Sequence, residues 1–402
     1  NQLNDYADVK QGMATSDNNR FRRNWSEVSF NKSSINSGDK WYPYNSGGGF
    51  RKWYGNQFYF VNWEKNGYEI KNNFDINGKL RSRPQNTEFY FKESISWSKI
   101  SSSSLSMRYY PKGFIFDVAG CSIFEKQAGV NKYLLGKLNS KLRIPLIESI
   151  SPTLNYEVGQ IATTPVIFEK NEEVYIFTEN CLNISKLDWD TRETSWDFKQ
   201  NELIRFKSAT LEESFNNYMN YWNEQFFQLH ENEEELNRQF IEIYGLQDEL
   251  TPDVPLEEIT ILQEETGIED GELVFYADKV MEQFVSYAVG CMFGRYSLDK
   301  EGLILANQGE TLQDYLIKVG KSEEELTFVP DKDNIIPVLD EEWFADDIVE
   351  RFYSFLKASF GERNFRENLR FVEESLGKDI RRYFTRDFYN DHIKRYKKIP
   401  IY

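Results

Sequence analysis

The protein has 402 residues, of which 40% are hydrophobic and 16% aromatic, and its formal net charge at pH 7 is −17. The hydrophobic fraction excludes an intrinsically disordered chain, and the length allows two or three domains with their own cores. Three widely spaced cysteines and two histidines predict neither a disulfide framework nor a zinc site.

The first ten residues, NQLNDYADVK, lack the basic and apolar regions of a signal peptide. No stretch approaches the roughly 18 consecutive apolar residues that a membrane span needs. The sequence therefore predicts a cytoplasmic protein without a membrane partner. Because Asn1 stands in place of an initiator methionine, we also expect a piece of a longer protein.

Charge is distributed unevenly along the chain. Residues 1–110 contain 16 Lys and Arg against 10 Asp and Glu, whereas the remainder carries a net charge of −23. Concentrated cations favour a polyanion such as nucleic acid, because binding releases counterions. A basic domain that docks on an acidic neighbour would give the same asymmetry, so charge alone leaves both interpretations open.

Residues 1–175 are predicted to form a β-rich domain. Aromatic and β-branched residues alternate with other residues in QFYFVNW, TEFYFK and GFIFDVAG. Turn signals separate these stretches at Asn66-Gly67, Asn77-Gly78 and Pro111-Lys112-Gly113. Alternation also predicts that every second aromatic residue is part of a sheet core.

Residues 176–402 are predicted to form a helical domain, which makes the whole an α+β protein. Between Phe215 and Ile243 the apolar residues alternate in spacings of four and three, and Glu233 occupies the one charged position of this coiled-coil-like seam. We predict one helix over most of residues 212–244. Three later stretches also have helical spacing: DGELVFYADKVMEQFVSYAVGCMFGRY, FADDIVERFYSFLKASFG and RNFRENLRFVEESLG.

No arrangement in the sequence predicts a catalytic or metal site. Both histidines, His230 and His392, fall in the helical part and are expected on its surface, which disfavours a Ser/His/Asp arrangement. The glycines of SGGGFRK lack the spacing of a phosphate-binding loop. We therefore expect this chain to hold no cofactor and no metal.

Three clusters of cationic and polar residues predict DNA as the partner. Arg, Asn and Gln can read guanine and adenine edges, while Lys and Ser can hold phosphates. We expect Arg51 and Lys52 to contact phosphates beside flexible glycines, and Arg83 and Gln85 to read bases from a loop stiffened by proline. The full set of candidates from these clusters is Arg51, Lys52, Arg81, Arg83, Gln85, Asn86, Lys99, Ser102 and Arg108.

Six stretches of the sequence are long and distinctive: QGMATSDNNRFRRNWSEV, GGGFRKWYGNQFYFVNWEKNGYEIKN, GKLRSRPQNTEFYFKESISWSKISSS, PTLNYEVGQI, DWDTRETSWDF and YAVGCMFGRYSLD. In this order they resemble the C-terminal half of the BREX-system, PglX-type adenine-specific DNA methyltransferases. The resemblance runs from about Tyr6 to Tyr402. Ser16 stands where that family usually has glycine, and Gly49 where it usually has an acidic residue.

The resemblance implies a target-recognition domain and a helical scaffold that follow an N-terminal domain binding S-adenosylmethionine. Residues 12–18 would begin the recognition domain, which adds Thr15 and Asn18 to the candidate DNA-binding residues, and residues 155–161 would end it. Adenine-N6 methyltransferases hold the flipped base with an Asn/Asp-Pro-Pro-aromatic motif. None of the 11 prolines here neighbours another, so we expect the chain to be non-catalytic alone.

As implied by the resemblance, the complete protein would be a site-specific adenine DNA methyltransferase of a phage-defence or restriction-modification system. Its partners would be double-stranded DNA, its own methyltransferase domain and other proteins of that system. Two alternatives stay open at this point: an aromatic-rich module that binds carbohydrate, and a scaffold that binds proteins of a defence complex. Salt would distinguish DNA from carbohydrate, because only DNA binding depends steeply on ionic strength.

Overall fold

The computed structural model of the protein describes residues 1–101, 103–148 and 155–402. With 45% of the residues in helices and 13% in strands, it confirms the predicted α+β class. The chain divides into two units, residues 1–189 with 225–261 and residues 190–224 with 262–402. Ser102, one of the candidate DNA-binding residues, and positions 152–154 of the stretch PTLNYEVGQI lie outside the described residues.

Ten strands are described: β1 (Ala7–Lys10), β2 (Arg22–Asn24), β3 (Trp41–Asn45), β4 (Tyr59–Asn62), β5 (Ser94–Trp97), β6 (Met107–Tyr110), β7 (Ile115–Phe116), β8 (Ser122–Glu125), β9 (Thr266–Glu269) and β10 (Glu272–Phe275). In the first unit they form two four-stranded sheets, of order β1-β8-β5-β6 and β2-β4-β3-β7. The first sheet is antiparallel, whereas β3 and β7 run parallel in the second. Strands β9 and β10 pair in the second unit.

Fourteen α-helices are described: α1 (Leu3–Tyr6), α2 (Asn18–Phe21), α3 (Glu64–Lys71), α4 (Val130–Asn139), α5 (Val158–Ala162), α6 (Glu172–Asp190), α7 (Glu202–Arg205), α8 (Leu211–Tyr244), α9 (Ala277–Met292), α10 (Leu312–Val319), α11 (Ile348–Phe360), α12 (Phe365–Leu376), α13 (Ile380–Arg386) and α14 (Phe388–Arg395). Among the described residues, none of these helices has the length and apolarity to cross a membrane.

The two sheets of the first unit contribute to one aromatic core. The prediction that aromatic residues of the β-rich part are core residues is confirmed for Trp53, Tyr54, Phe60 and Trp63, all of which are buried. Edge-to-face packing of aromatic rings contributes stability beyond that of the area they bury. The core cluster consists of Met13, Phe21, Tyr44, Val61, Trp63, Ile70, Tyr90, Ile115, Phe116 and Phe124.

Three local predictions of secondary structure are wrong. The stretch TEFYFK contains a 3₁₀ turn at Thr87–Phe89 in place of a strand, and the positive φ of Phe91 (67°) is incompatible with continued extended backbone. The turn at Asn66-Gly67 lies inside α3 and leads from β4 into a helical turn, not into a second strand. The start of the stretch DGELVFYADK forms β10, and the helix begins only at Ala277.

Helix α8 confirms the long helix predicted from the seam. Its residues 225–244 belong to the first unit and its residues 211–224 to the second. In the first unit, Phe226 and Phe240 are buried, and the ring of Phe240 lies 5.3 Å from that of Tyr133 in an edge-on arrangement. Glu233 is buried as well, although it is charged.

The predicted helices at the C-terminal end of the sequence are also observed. Asp347 caps α11 by accepting hydrogen bonds from the backbone N–H groups of Val349 and Glu350, and Gly377 ends α12 in a left-handed conformation. The prediction that His392 lies on the surface is wrong. Its ring is buried, and burial lowers its pKa to about 4 because a desolvated imidazole is held in its neutral form.

Candidate nucleic-acid interface

Three candidate DNA-binding residues lie in the interior of the first unit. The loop that contains SGGGFRK supplies two of them, and strand β6 supplies the third. A buried cation is tolerated only where carboxylates or carbonyl oxygens replace water around it. These residues, the buried cation cluster, are Arg51, Lys52 and Arg108.

Arg51 is held by groups of two distant segments. Its Nη2 lies 2.8 Å from Oδ2 of Asp188 in α6, and its Nη1 donates to the backbone oxygen of Thr260 at 3.1 Å. Its Nε donates to the backbone oxygen of Tyr54 at 2.6 Å, and the guanidinium lies 5.1 Å from the ring centre of Trp189. All three nitrogens are therefore occupied within the protein.

Lys52 is the partner of Glu233, the charged residue in the apolar seam of α8. Its Nζ forms an ion pair with the carboxylate of Glu233, and only 1% of the residue is exposed. Nε1 of Trp53 donates to the other oxygen of the same carboxylate at 2.7 Å. Glu233 therefore holds two consecutive residues of the glycine-rich loop against α8.

Arg108 completes the cluster from strand β6 and is fully buried. Its Nη1 donates to the backbone oxygen of Arg51 at 3.1 Å, and its Nη2 donates to Oγ of Ser98 at 2.9 Å. Backbone hydrogen bonds join Trp53 to both Met107 and Tyr109. The cluster thus attaches the glycine-rich loop to β6, α6 and α8. Arg51 and Lys52, which were expected to contact phosphates, and the candidate Arg108 are instead buried within the first unit.

Six other candidates come together where residues 11–18 run beside residues 81–86. Ala14 and Arg83 exchange two backbone hydrogen bonds, of 3.1 and 2.7 Å, as an antiparallel bridge. The side-chain amides of Gln85 and Asn86 donate to the backbone oxygens of Gly12 and Gln11, at 2.6 and 2.8 Å. The candidates joined in this way are Thr15, Asn18, Arg81, Arg83, Gln85 and Asn86.

Ser16 adopts a backbone conformation that favours glycine, the residue that the resemblance implies for this position. Its φ of 55° is in the left-handed region, which an L-residue adopts at an energetic cost and glycine adopts freely. The serine hydroxyl donates to the backbone oxygen of Arg81 at 2.8 Å. Beside it, the hydroxyl of the buried Thr15 donates to Oδ1 of the exposed Asn18 at 2.5 Å.

Residues 73–83 form a hairpin around the predicted Asn77-Gly78 turn, which we call the Asn77 hairpin. Phe74 and Leu80 pair across it, and the N–H of Arg81 donates to the oxygen of Asn73 at 2.8 Å. Gly78 has a φ of 74°, as this turn requires. The turn predicted from the Asn77-Gly78 sequence is therefore confirmed.

The Asn77 hairpin presents three cations to solvent. Lys79, Arg81 and Arg83 are all exposed, and none of them forms an ion pair within the described part of the chain. Lys79 was missed as a candidate, although its position directly after an Asn-Gly turn is a signal for an exposed loop tip. Together with Arg81 and Arg83 it makes the hairpin a cationic surface.

Lys99 lies in a different setting. It is half-buried, its Nζ is 3.0 Å from Oε2 of Glu157, and its hydrogen bond lowers the pKa of that carboxyl. Its backbone oxygen accepts from the N–H of Tyr156 at 2.8 Å. Lys99 therefore joins strand β5 to the segment predicted to end the recognition domain.

Two curated proteins are similar to this chain over nearly all of its length. An adenine-specific methyltransferase PglX of Lacticaseibacillus casei (strain Zhang) is 37% identical over 423 residues, which cover 100% of this chain and 33% of that protein. An adenine-specific methyltransferase BrxX of Escherichia coli O9:H4 (strain HS) is 36% identical over 407 residues, which cover 95% of this chain and 32% of that protein.

The chain thus spans about a third of the length of the curated relatives it matches. No family model matches it. The resemblance to adenine-specific methyltransferases that the six stretches indicated is confirmed.

Proposed function

We propose that this chain is the DNA-recognition part of a site-specific adenine-N6 DNA methyltransferase of a BREX-type phage-defence system. In this proposal residues 11–18 and the Asn77 hairpin bind double-stranded DNA. The observation that carries it is the set of three exposed cations, Lys79, Arg81 and Arg83, on a hairpin that is fixed to residues 11–18. Similarity to two proteins named adenine-specific methyltransferases supports DNA as the partner.

The geometry of the hairpin suits a groove of DNA. A two-stranded ribbon fits the major groove, where an arginine can donate two hydrogen bonds to guanine. Arg81 and Arg83 stand two residues apart on the same arm of the hairpin, and Lys79 stands next to its tip. Because the backbone is already ordered, binding would cost little loop entropy.

The catalytic step is assigned to another part of the complete protein. The chain has no adjacent prolines and thus lacks the motif that grips the target amine, so its residues do not fit the reaction centre of an adenine methyltransferase. S-adenosylmethionine would bind to the methyltransferase domain that precedes this chain. We expect the chain alone to show no methyl transfer and no saturable S-adenosylmethionine binding by calorimetry; either activity would contradict the proposal.

The carbohydrate alternative is disfavoured by the aromatic residues themselves. Sugar-binding modules need exposed aromatic rings as platforms, but Trp53, Tyr54 and Trp63 are each less than 4% exposed. These aromatic rings are buried in the interior of the first unit, and that of Trp53 shares the carboxylate of Glu233 with Lys52. Because buried rings cannot contact a sugar, the exposed cationic hairpin is the stronger candidate for a ligand-binding surface.

The decisive experiment compares alanine variants of the complete protein in DNA binding and in the pattern of methylated sites. Arg83→Ala is expected to lose about 1–3 kcal/mol of discrimination at one base pair. Lys79→Ala is expected to weaken binding to all sequences alike and to flatten the dependence of log K on log salt by about 0.9. Arg366→Ala, which removes an exposed arginine of α12, is the matched control and should change neither.

Unchanged affinity and unchanged methylation sites in both Lys79→Ala and Arg83→Ala would contradict the proposal that this hairpin is the recognition surface. If DNA binding by the wild type depends steeply on salt but the hairpin variants bind as well as wild type, DNA is still the partner and its interface lies on another surface.

The second unit offers an observation in favour of a protein partner. Trp343 and Phe344 are 73% and 53% exposed, and they follow the acidic residues Asp340, Glu341 and Glu342. Exposed aromatic residues beside charges are typical of protein interfaces. We propose that this segment binds a basic protein of the same defence system, and the double variant Trp343→Ser, Phe344→Ser should abolish co-purification with it while leaving DNA affinity intact.

A further inference from the structure

The tip of the Asn77 hairpin carries an isoleucine with no contact to cover it. Ile76 has a relative exposure of 101%, and Phe74 and Leu80, which pair on the stem, are 53% and 42% exposed. Single exposed apolar residues are common on protein surfaces. Three of them on one short hairpin, next to three exposed cations, indicate a partner that is both anionic and apolar.

The hairpin holds Ile76 in this position because its backbone is fixed from within. Oδ1 of Asp75 accepts the N–H groups of Asn77 and Lys79, both at 2.9 Å, and the N–H of Asp75 donates to the oxygen of Lys79 at 2.9 Å. Local hydrogen bonds of this kind define the turn and leave the tip little freedom to fold back. Ile76 therefore stays exposed in the unbound protein.

The base of the hairpin is anchored in the interior. Nδ2 of Asn73 donates to Oγ of Ser82 at 2.8 Å, and that hydroxyl donates to the backbone oxygen of Thr15 at 2.6 Å. All three residues are buried. From Asn73 the three residues to Ile76 extend about 10 Å at about 3.3 Å per residue. The minor groove, from which apolar wedges are known to enter, is about 7.5 Å deep, and the major groove is about 8.5 Å deep. The reach of the hairpin is therefore sufficient to bring Ile76 to the bases.

We propose that Ile76 enters the recognised DNA as an apolar wedge that unstacks a base step, while Lys79, Arg81 and Arg83 hold the flanking phosphates and bases. This inference rests on the proposed function and names what the hairpin does to its DNA. Apolar side chains inserted against base steps partly unstack them and kink the duplex. Since a methyltransferase must extrude its target base, a local loss of stacking lowers the cost of that extrusion.

The test uses the complete protein and a cognate duplex with 2-aminopurine, whose fluorescence rises when the base loses its stacking neighbours, placed in turn along the recognition site. Wild type is expected to raise the fluorescence at one step. Ile76→Ala should abolish this rise and weaken binding about tenfold, since an isoleucine side chain loses most of its apolar burial. Its salt dependence should equal that of wild type, because no cation is removed.

Two controls separate the wedge from general effects. Ile76→Leu keeps an apolar side chain of similar volume and should retain the fluorescence rise. Ile317→Ala, which removes a 69% exposed isoleucine of α10, should behave as wild type in every assay.

Retention of wild-type affinity and fluorescence by Ile76→Ala would overturn the wedge and leave the proposed DNA interface standing. A weaker Ile76→Ala complex whose fluorescence still rises would also overturn it, because Ile76 would then contact a groove edge only. If Ile76→Ala changes the oligomeric state and leaves DNA binding unchanged, the tip of the hairpin contacts a second copy of this chain and the wedge is overturned. Failure of the wild type to bind any duplex would instead reject the proposed function, and the wedge with it.

Discussion

The buried cation cluster and the Asn77 hairpin lie in the same unit and both contain arginine and lysine. In the first these side chains are buried, and in the second they are exposed to solvent. Arg51 pairs with Asp188, 137 positions away, and Lys52 pairs with Glu233, 181 positions away, so these cations join distant segments. Lys79, Arg81 and Arg83 stand on a locally closed hairpin and face solvent. A cationic stretch is therefore structural when helices elsewhere place carboxylates at otherwise apolar positions.

Breaking the pair between Lys52 and Glu233 should have the largest effect. Either Lys52→Ala or Glu233→Ala leaves an uncompensated buried charge, and we expect a loss of about 3–5 kcal/mol in the free energy of unfolding, measured with urea. The double variant Lys52→Met, Glu233→Leu should lose much less, since no buried charge remains. A loss below about 1 kcal/mol in both single variants would mean that water reaches this pair and that the cluster is not structural.

Phe240→Ala tests the apolar part of the same contact surface of α8. The ring is fully buried, so its removal should cost about 3–5 kcal/mol in thermal or urea unfolding. Phe227→Ala, which truncates a 40% exposed ring of the same helix, is the matched control and should cost far less. Equal losses in the two variants would show that the seam does not face the core.

Another buried cation, Lys137 of α4, faces an aromatic ring: its Nζ lies 5.6 Å from the ring centre of Tyr244. Burial lowers the pKa of Lys137 to about 7 by disfavouring the charged form. In the unfolded chain, with a pKa near 10.5, this side chain binds more protons between pH 7 and pH 10.5, so the contribution of Lys137 to the stability of the folded state should rise with pH across this window.

Lys137→Met should remove most of this rise and should be more stable than wild type at pH 6. Urea unfolding at pH 6, 8 and 10 measures both effects. If the free energy of unfolding changes by the same amount between pH 7 and pH 10 in wild type and in Lys137→Met, the assignment to Lys137 is contradicted.

The smallest effect on stability is expected for the hairpin cations. Arg81→Ala should stay within about 0.5 kcal/mol of wild type in unfolding, because Arg81 is exposed. In the complete protein, however, it should reduce DNA affinity and lower the slope of log K against log salt by about 0.9. If Arg81→Ala were instead destabilised as strongly as Lys52→Ala, the contrast between the two regions would be lost.

Features with a local physical cause could be predicted from the sequence. The period of the seam gave α8 nearly to its ends, and the Asn-Gly signal gave the hairpin turn. The charged position Glu233 could be identified as an exception, but its partner could not, since the pairing with Lys52 depends on tertiary structure. Likewise the sequence shows that Arg51 and Arg83 are cations and does not show which of them water reaches.

The wrong predictions for His392 and for the stretch TEFYFK have the same cause, because both depend on contacts or backbone conformations of the folded chain. His392 stands in a charged C-terminal segment, but the rings of Phe388, Tyr396 and Tyr402 surround it. Such enclosure is a property of the folded chain. The stretch TEFYFK has the composition of a strand, but the 3₁₀ turn at Thr87–Phe89 and the positive φ of Phe91 prevent one.

The bridge between residues 11–18 and residues 81–86 has a consequence for how specificity can change during evolution. The backbone oxygens of Gln11 and Gly12 bind the amides of Asn86 and Gln85, and Ala14 pairs with Arg83. Recombination that exchanged the later segment alone would bring in side chains without the carbonyl positions that orient them. Under the proposed function, the two segments would therefore be inherited as one unit, and transferring DNA specificity between relatives would require both to be exchanged together, although about 65 residues of chain separate them.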